Sequence, residues 1–116
     1  MPERKRPDRA AADPYSRLLR AVADPSRRRM LSLLSRRDEL SLQQIERRFD
    51  MSRPAVIKHL RVLKACRLVR TQRRGRQVMH RLDARPLVAI RNWLAEYEVF
   101  WDTHLARLKQ QVESAP

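Results

Sequence analysis

The chain has 116 residues, a formal net charge of +14 and 42% apolar residues, which allows one folded domain with a modest core and excludes two. A single cysteine excludes an internal disulfide framework. No run approaches the ~20 apolar residues of a membrane span or the pattern of a secretory signal, so the expected compartment is the cytoplasm.

Residues 1–13, opening MPERKRPDRAAA, mix charge, proline and alanine without periodicity and read as a disordered basic tail. The folded domain is expected from 14 to 112. Asp13-Pro14 is a helix start, a carboxylate cap followed by a proline with its φ preset, and that helix should run to about Ala23. Asp24-Pro25 repeats the signal and opens a second helix to about Ser35. Ser41 with Gln44 three residues on forms a capping box for a short third helix through Phe49. Ser52 then caps a fourth helix, 53–66. Beyond it the apolar period shortens. Leu68 and Val69, then Val78, Met79 and Leu82, form two runs separated by the polar stretch 72–77, which reads as a β-hairpin with Gly75 at its tip. A last helix, 86–112, follows Asp83 and Pro86, with apolar residues at 87, 90, 94, 97, 101, 105, 108 and 112 in steps of three and four. The fold expected is mainly α with a small β-hairpin (α+β), a winged helix-turn-helix in the order α-α-α-α-β-β-α.

Charge is distributed unevenly over these elements. From residue 51 to 82 there are ten arginines and lysines and no carboxylate, while 84–116 sums to zero. A block of one sign over a helix and hairpin reads as a surface for a polyanion. In a helix-turn-helix the second helix enters the major groove and its N-terminal residues meet base edges. Val56, Leu60 and Leu63 share one stripe of helix 53–66 and should face inward. Ser52, Arg53, Ala55, Ile57, Lys58, His59 and Arg61 are expected toward double-stranded DNA, with Arg73, Arg74 and Arg76 on a wing spanning 70–81. Arg53 suits bidentate reading of guanine, and Lys58 and Arg61 suit phosphates. Ile57 is apolar on a charged face: either it meets a thymine methyl or it covers the core's edge. The last helix carries Leu94, Tyr97, Trp101, Leu105 and Leu108 along one stripe too long for a domain this size to bury, so these residues are expected to form a homodimer through 86–112.

Two blocks carry a family likeness. The run Leu19-Arg20-Ala21-Val22-Ala23-Asp24-Pro25-Ser26-Arg27-Arg28-Arg29-Met30-Leu31 and the run from Met51 to Leu63 (MSRPAVIKHLRVL) closely resemble ArsR-type winged helix-turn-helix repressors. The ending Trp93-Leu94-Ala95-Glu96-Tyr97 with Phe100-Trp101-Asp102 is similar to a subgroup with a long C-terminal dimerisation helix. The likeness implies a homodimeric repressor released from its operator by a signal. The chain departs from the pattern at three places. Ile57 stands where the family usually has serine, and Asp50 and Arg67 stand where glycine commonly ends the third and fourth helices.

Metal sensing, frequent in that family, is not expected here. Ser41 and Gln43 occupy the positions of its Cys-x-Cys ligand pair. Asp102-Thr103-His104 matches half of its other site, but the second histidine is replaced by Ala115. Tetrahedral zinc would lack ligands at either place, so no metal and no cofactor is assigned. Cys66 stays open as a redox handle, with Lys64 and Arg67 nearby to lower its pKa, or as a buried filler. With no Ser/His/Asp arrangement, phosphate-binding glycine loop or inward carboxylate pair, the chain has no assigned catalytic residue and reads as a non-enzyme. The leading expectation is a dimeric repressor that reads an inverted-repeat operator. The rivals are a sequence-indifferent architectural nucleic-acid binder, and an interaction module built on the aromatic last helix.

Overall fold

A computed structural model describes residues 13–115; the expected tail therefore lies outside the described residues except for Asp13. The elements in chain order are α1 (Pro14–Ala23), α2 (Pro25–Ser35), β1 (Leu40–Ser41), α3 (Leu42–Glu46), α4 (Arg53–Ala65), β2 (Val69–Arg74), β3 (Gln77–Leu82), α5 (Leu87–Ala95) and α6 (Glu98–Glu113). The order is thus that of a winged helix-turn-helix, with one small strand added and the last helix in two pieces.

Helix ends explain where the chain turns. Asp13 accepts from the Tyr15 amide at 3.1 Å and Asp24 from the Arg27 amide at 3.0 Å, each satisfying a donor that the first helical turn leaves free. No glycine closes α1. Instead Arg27 donates to the carbonyls of Ala21 and Arg20, and Arg28 to those of Val22 and Ala23, at 2.6–2.9 Å. Two consecutive arginines of α2 thereby cap the preceding helix. At Ser41 the capping box is complete, with Gln44 N donating to the hydroxyl and Ser41 N to the Gln44 amide oxygen. Its helix is shorter than expected, since 47–49 continue as turn.

Ser41 does a second job that its cap signal conceals. Leu40 and Ser41 pair antiparallel with His80 and Met79, so the hairpin becomes a three-stranded sheet in the order β1-β3-β2. A two-residue strand has no period to read, and only the partner strand reveals it. The hairpin is also tighter than the polar stretch suggested. Pairs run from Val69↔Leu82 to Arg74↔Gln77, which leaves Gly75 and Arg76 as the loop. Gly75 alone takes a positive φ of +64° there, the pattern of a type II′ turn.

At the end of α4 Arg67 adopts the left-handed conformation, φ +64°, although it has a side chain. Two hydrogen bonds hold it, Arg67 N to Lys64 O and Leu68 N to Leu63 O, both 3.0 Å, the paired bonds of a Schellman ending. Leu63 and Leu68 are both fully buried in the core, and that burial offsets a backbone cost of about 1–2 kcal/mol. At Asp50 the chain turns without a positive φ.

The core is built from Met30, Leu34, Ile45, Val56, Leu63 and Leu68, joined by Leu18, Ala21, Leu31, Leu33, Leu40, Leu60 and Val69. Val56, Leu60 and Leu63 thus face inward as the stripe required. Cys66 belongs to this core, its thiol against the Val62 and Leu63 carbonyls. Burial pushes that thiol's pKa up, and of the two readings left open for Cys66 the buried filler fits this position. Leu87, Ala89 and Ile90 of α5 lean on the core, and then the helix breaks. Glu96 N donates to Trp93 O and Tyr97 N to Leu94 O, tightening one turn before α6 resumes. Every residue from Leu94 to Ala115 is exposed.

Candidate nucleic-acid interface

The turn 47–52 brings α3 and α4 together, and β2–β3 rises beside them as the wing. Ser52 accepts from the Ala55 amide at 3.3 Å, so the first turn of α4 is ordered by a side chain that faces solvent. Ser52, Arg53, Lys58 and Arg61 on this helix are exposed, as are Arg73, Arg74 and Arg76 on the wing. Ala55 and Ile57 are half-buried. Ile57 lines a cleft between α4 and the wing with Leu42 and Val78, at the rim of the core.

Three of the residues expected toward DNA have intramolecular partners that the sequence did not announce. Arg53 Nη1 lies 3.6 Å from Glu46 Oε1 on α3. Arg74 Nε donates to a carboxylate oxygen of Glu39, just before β1. His59 is turned inward, its Nδ1 at 3.8 Å from Asp24 Oδ2 and 3.4 Å from Arg27 Nη1. It ties α4 to the α1–α2 junction, where Asp24's carboxyl is held below its usual pKa chiefly by the Arg27 amide. Neither pairing is visible in the sequence, because Glu39 and Glu46 stand outside the basic window and only the fold brings them back to it. No spacing rule links Glu39 to Arg74.

The stem of the wing is fastened in the same way. Asp83 accepts from Arg70 Nε at 2.6 Å and from Arg85 Nη2 at 2.7 Å. Its carboxyl pKa is held far below the usual range, first by Arg85 and then by Arg70. His80 is buried in β3 and donates from Nδ1 to the Leu40 carbonyl at 3.3 Å. Burial depresses its pKa.

Leu94, Tyr97, Trp101, Leu105 and Leu108 are each 45–59% exposed, in steps of three and four across the break at 96–97. Phe100 stacks edge-on against Trp101 at 5.5 Å, and neither side chain is covered. Among the described residues no three of His, Cys, Asp or Glu gather as a metal site, and no helix is long and apolar enough to cross a membrane.

Comparison with known proteins gives this geometry its context. Residues 24–71, which span α2 to the start of the wing, match the family described as bacterial regulatory protein, arsR family. The HTH-type transcriptional regulator Rv2034 of Mycobacterium tuberculosis is 34% identical over 98 residues, covering 84% of this chain and 88% of the relative. The transcriptional repressor SdpR of Bacillus subtilis is 29% identical over 80 residues, covering 69% and 88%. The homodimeric winged helix-turn-helix DNA-binding domain of Mb0332 from Mycobacterium bovis superposes with a TM-score of 0.60 at 25% identity, covering 84% of this chain and 92% of that one. The chain belongs to the ArsR family of bacterial regulatory proteins, DNA-binding transcriptional regulators built on a winged helix-turn-helix.

Proposed function

We propose that the protein is a homodimeric, sequence-specific repressor acting in the cytoplasm on an inverted-repeat operator. Helix α4 enters the major groove, with Arg53 at a base edge and Lys58 and Arg61 on phosphates, and wing 70–81 lies on the adjacent backbone or minor groove. Dimerisation runs through the stripe of 86–112, which two copies cover by meeting about a two-fold axis. The observation that carries the reading is the carboxylate-free window 51–82, exposed on a capped α4 and on a wing beside it. The relatives support its two finer parts, since one is named a repressor and another is a homodimeric domain.

Titrating a promoter fragment and a scrambled duplex of equal length at several salt concentrations tests it. At least about six phosphate contacts from two subunits should lower affinity about 10³-fold between 50 and 200 mM salt, with the promoter preferred throughout. Equal affinity for both duplexes would favour the architectural reading instead.

A further inference from the structure

Between α4, the start of α3 and strand β3 lies an open cleft of about 300 Å³, the lower end of the size range of ligand sites. Its floor is apolar: Leu42, Ile57, Leu60 and Val78. Leu60 is buried, Leu42 and Ile57 are half-buried, and Val78 is 42% exposed on the wing. Two cations, Arg61 and Lys64, line the same cleft. Both are exposed, and among the described residues neither forms an ion pair, a state they share with Lys58, Arg67, Arg73, Arg76 and Arg81, but of these cations only Arg61 and Lys64 line this cleft. No acidic residue lines the cleft. His80 of β3 also lines it. Its Nδ1 is engaged by Leu40, and its Nε2 has no partner among the described residues.

We propose that this cleft is the effector site of the protein and takes a small apolar carboxylate. The hydrocarbon body lies on Leu42, Ile57, Leu60 and Val78, and the carboxylate lies between Arg61 and Lys64. An anion gains charge-assisted hydrogen bonds there beside a surface of low polarity, a neutral molecule loses them, and a cation is repelled. A DNA phosphate meets the two cations but has no apolar body to fill the floor. The inference rests on the DNA-binding reading above. Ile57 and Arg61 belong to the face proposed for DNA, so an occupant engages both and shifts the protein toward its unbound state, which is the differential affinity that release requires.

Octanoate is the probe, titrated into the full-length protein without DNA while the methyl resonances of the four floor residues are followed. The expected result is a saturable shift confined to the cleft, with 1-octanol and octylamine weaker by roughly tenfold, the scale of one hydrogen bond to a charged group. Val78→Asp, at an exposed wing position, should weaken octanoate by a similar factor, its fold checked by circular dichroism. Lys64→Gln gives an independent variant that should weaken octanoate and leave 1-octanol unchanged. In a second arm octanoate should lower affinity for the promoter fragment by roughly fivefold or more in the wild type, and by less in Lys64→Gln. Shifts that do not saturate, or that centre on Val99, Phe100 and Trp101 of α6, mean adsorption to the apolar stripe and overturn the site. Saturable binding in the cleft with promoter affinity unchanged overturns its effector role. Because the first arm contains no DNA, it reads out even if the protein proves indifferent to sequence.

Discussion

Residues 51–82 carry ten cations and no carboxylate, yet most of their apolar side chains lie in the core; residues 84–115 carry no net charge, yet leave a stripe of leucine and aromatics in solvent. The helix of the first region begins at a serine cap, whereas neither α5 nor α6 has a side-chain cap. Charge of one sign lies where the apolar side chains are buried, and exposed apolar surface lies where four cations and four carboxylates cancel. Two copies meeting through the neutral region under the proposed pairing do not bring their basic windows together, so the same segregation that permits dimerisation holds two recognition helices apart. Adjacent major grooves would then receive them about 34 Å apart.

The sharpest way to break the contrast is Trp101→Glu. A charge in the middle of the stripe should give monomers by analytical ultracentrifugation while the circular dichroism of the helix-turn-helix persists. Loss of bivalent binding should then cost about 10²–10⁴-fold in promoter affinity. A wild type that sediments as a monomer at micromolar concentration would refute the pairing.

Next in size is Leu63→Ala, which cuts into the core where exposure is zero and should cost about 2–5 kcal/mol. Leu105→Ala removes as many carbons from a side chain 59% exposed. The two should differ in kind: the midpoint of the first falls equally at every protein concentration, while the second shows its effect in how the midpoint depends on concentration. Equal behaviour in a thermal dilution series would erase the distinction between the two regions.

Within the basic window, Arg53→Ala should cost about 1–3 kcal/mol against the preferred base, read as flattened selectivity among operator variants in an anisotropy competition. Arg74→Ala should lower affinity for all duplexes alike and by less, since Arg74 is already shared with Glu39. Loss of affinity for every sequence in Arg53→Ala would mean that the recognition face has been misplaced.

The smallest effect is on acidification. His80 has a depressed pKa in the folded state, so the unfolded chain takes up its proton first, near the ordinary value of about 6.5. Stability is therefore full above that value and declines as pH falls through it. Asp83, also depressed, contributes in the same direction but only below the ordinary carboxylate range, about 3.9. Thermal midpoints between pH 7.5 and 5.5 should fall in the wild type and flatten in His80→Gln; an unchanged slope in that variant assigns the loss elsewhere.

Much of the architecture was legible because its signals are local. A cap at Asp13, Asp24, Ser41 or Ser52 satisfies amides two or three residues away, and the stripe of α4 repeats within one helix. The chain departed from these rules where a distant segment intervened and where a helix broke without a local signal. β1 exists only because β3 lies beside it, and Ser41 shows the signal of its cap alone. The single long helix expected over 86–112 carries no proline or glycine at 96–97, and its apolar period continues through the break, so the pattern that predicted the helix cannot show where it bends.

By itself, then, the sequence determined which residues begin helices, which stripe of α4 turns inward and where charge of one sign accumulates, since each depends on neighbours within about two helical turns. Tertiary structure decided which of the cations are free. Arg53 meets Glu46 and Arg74 meets Glu39 across the fold, Arg70 meets Asp83 across the hairpin, and Arg61 and Lys64 are left beside an apolar cleft. Pairing between charges falls off over a few ångströms in space and is blind to separation along the chain, so only the folded backbone sorts a uniform basic run into tethered and available groups.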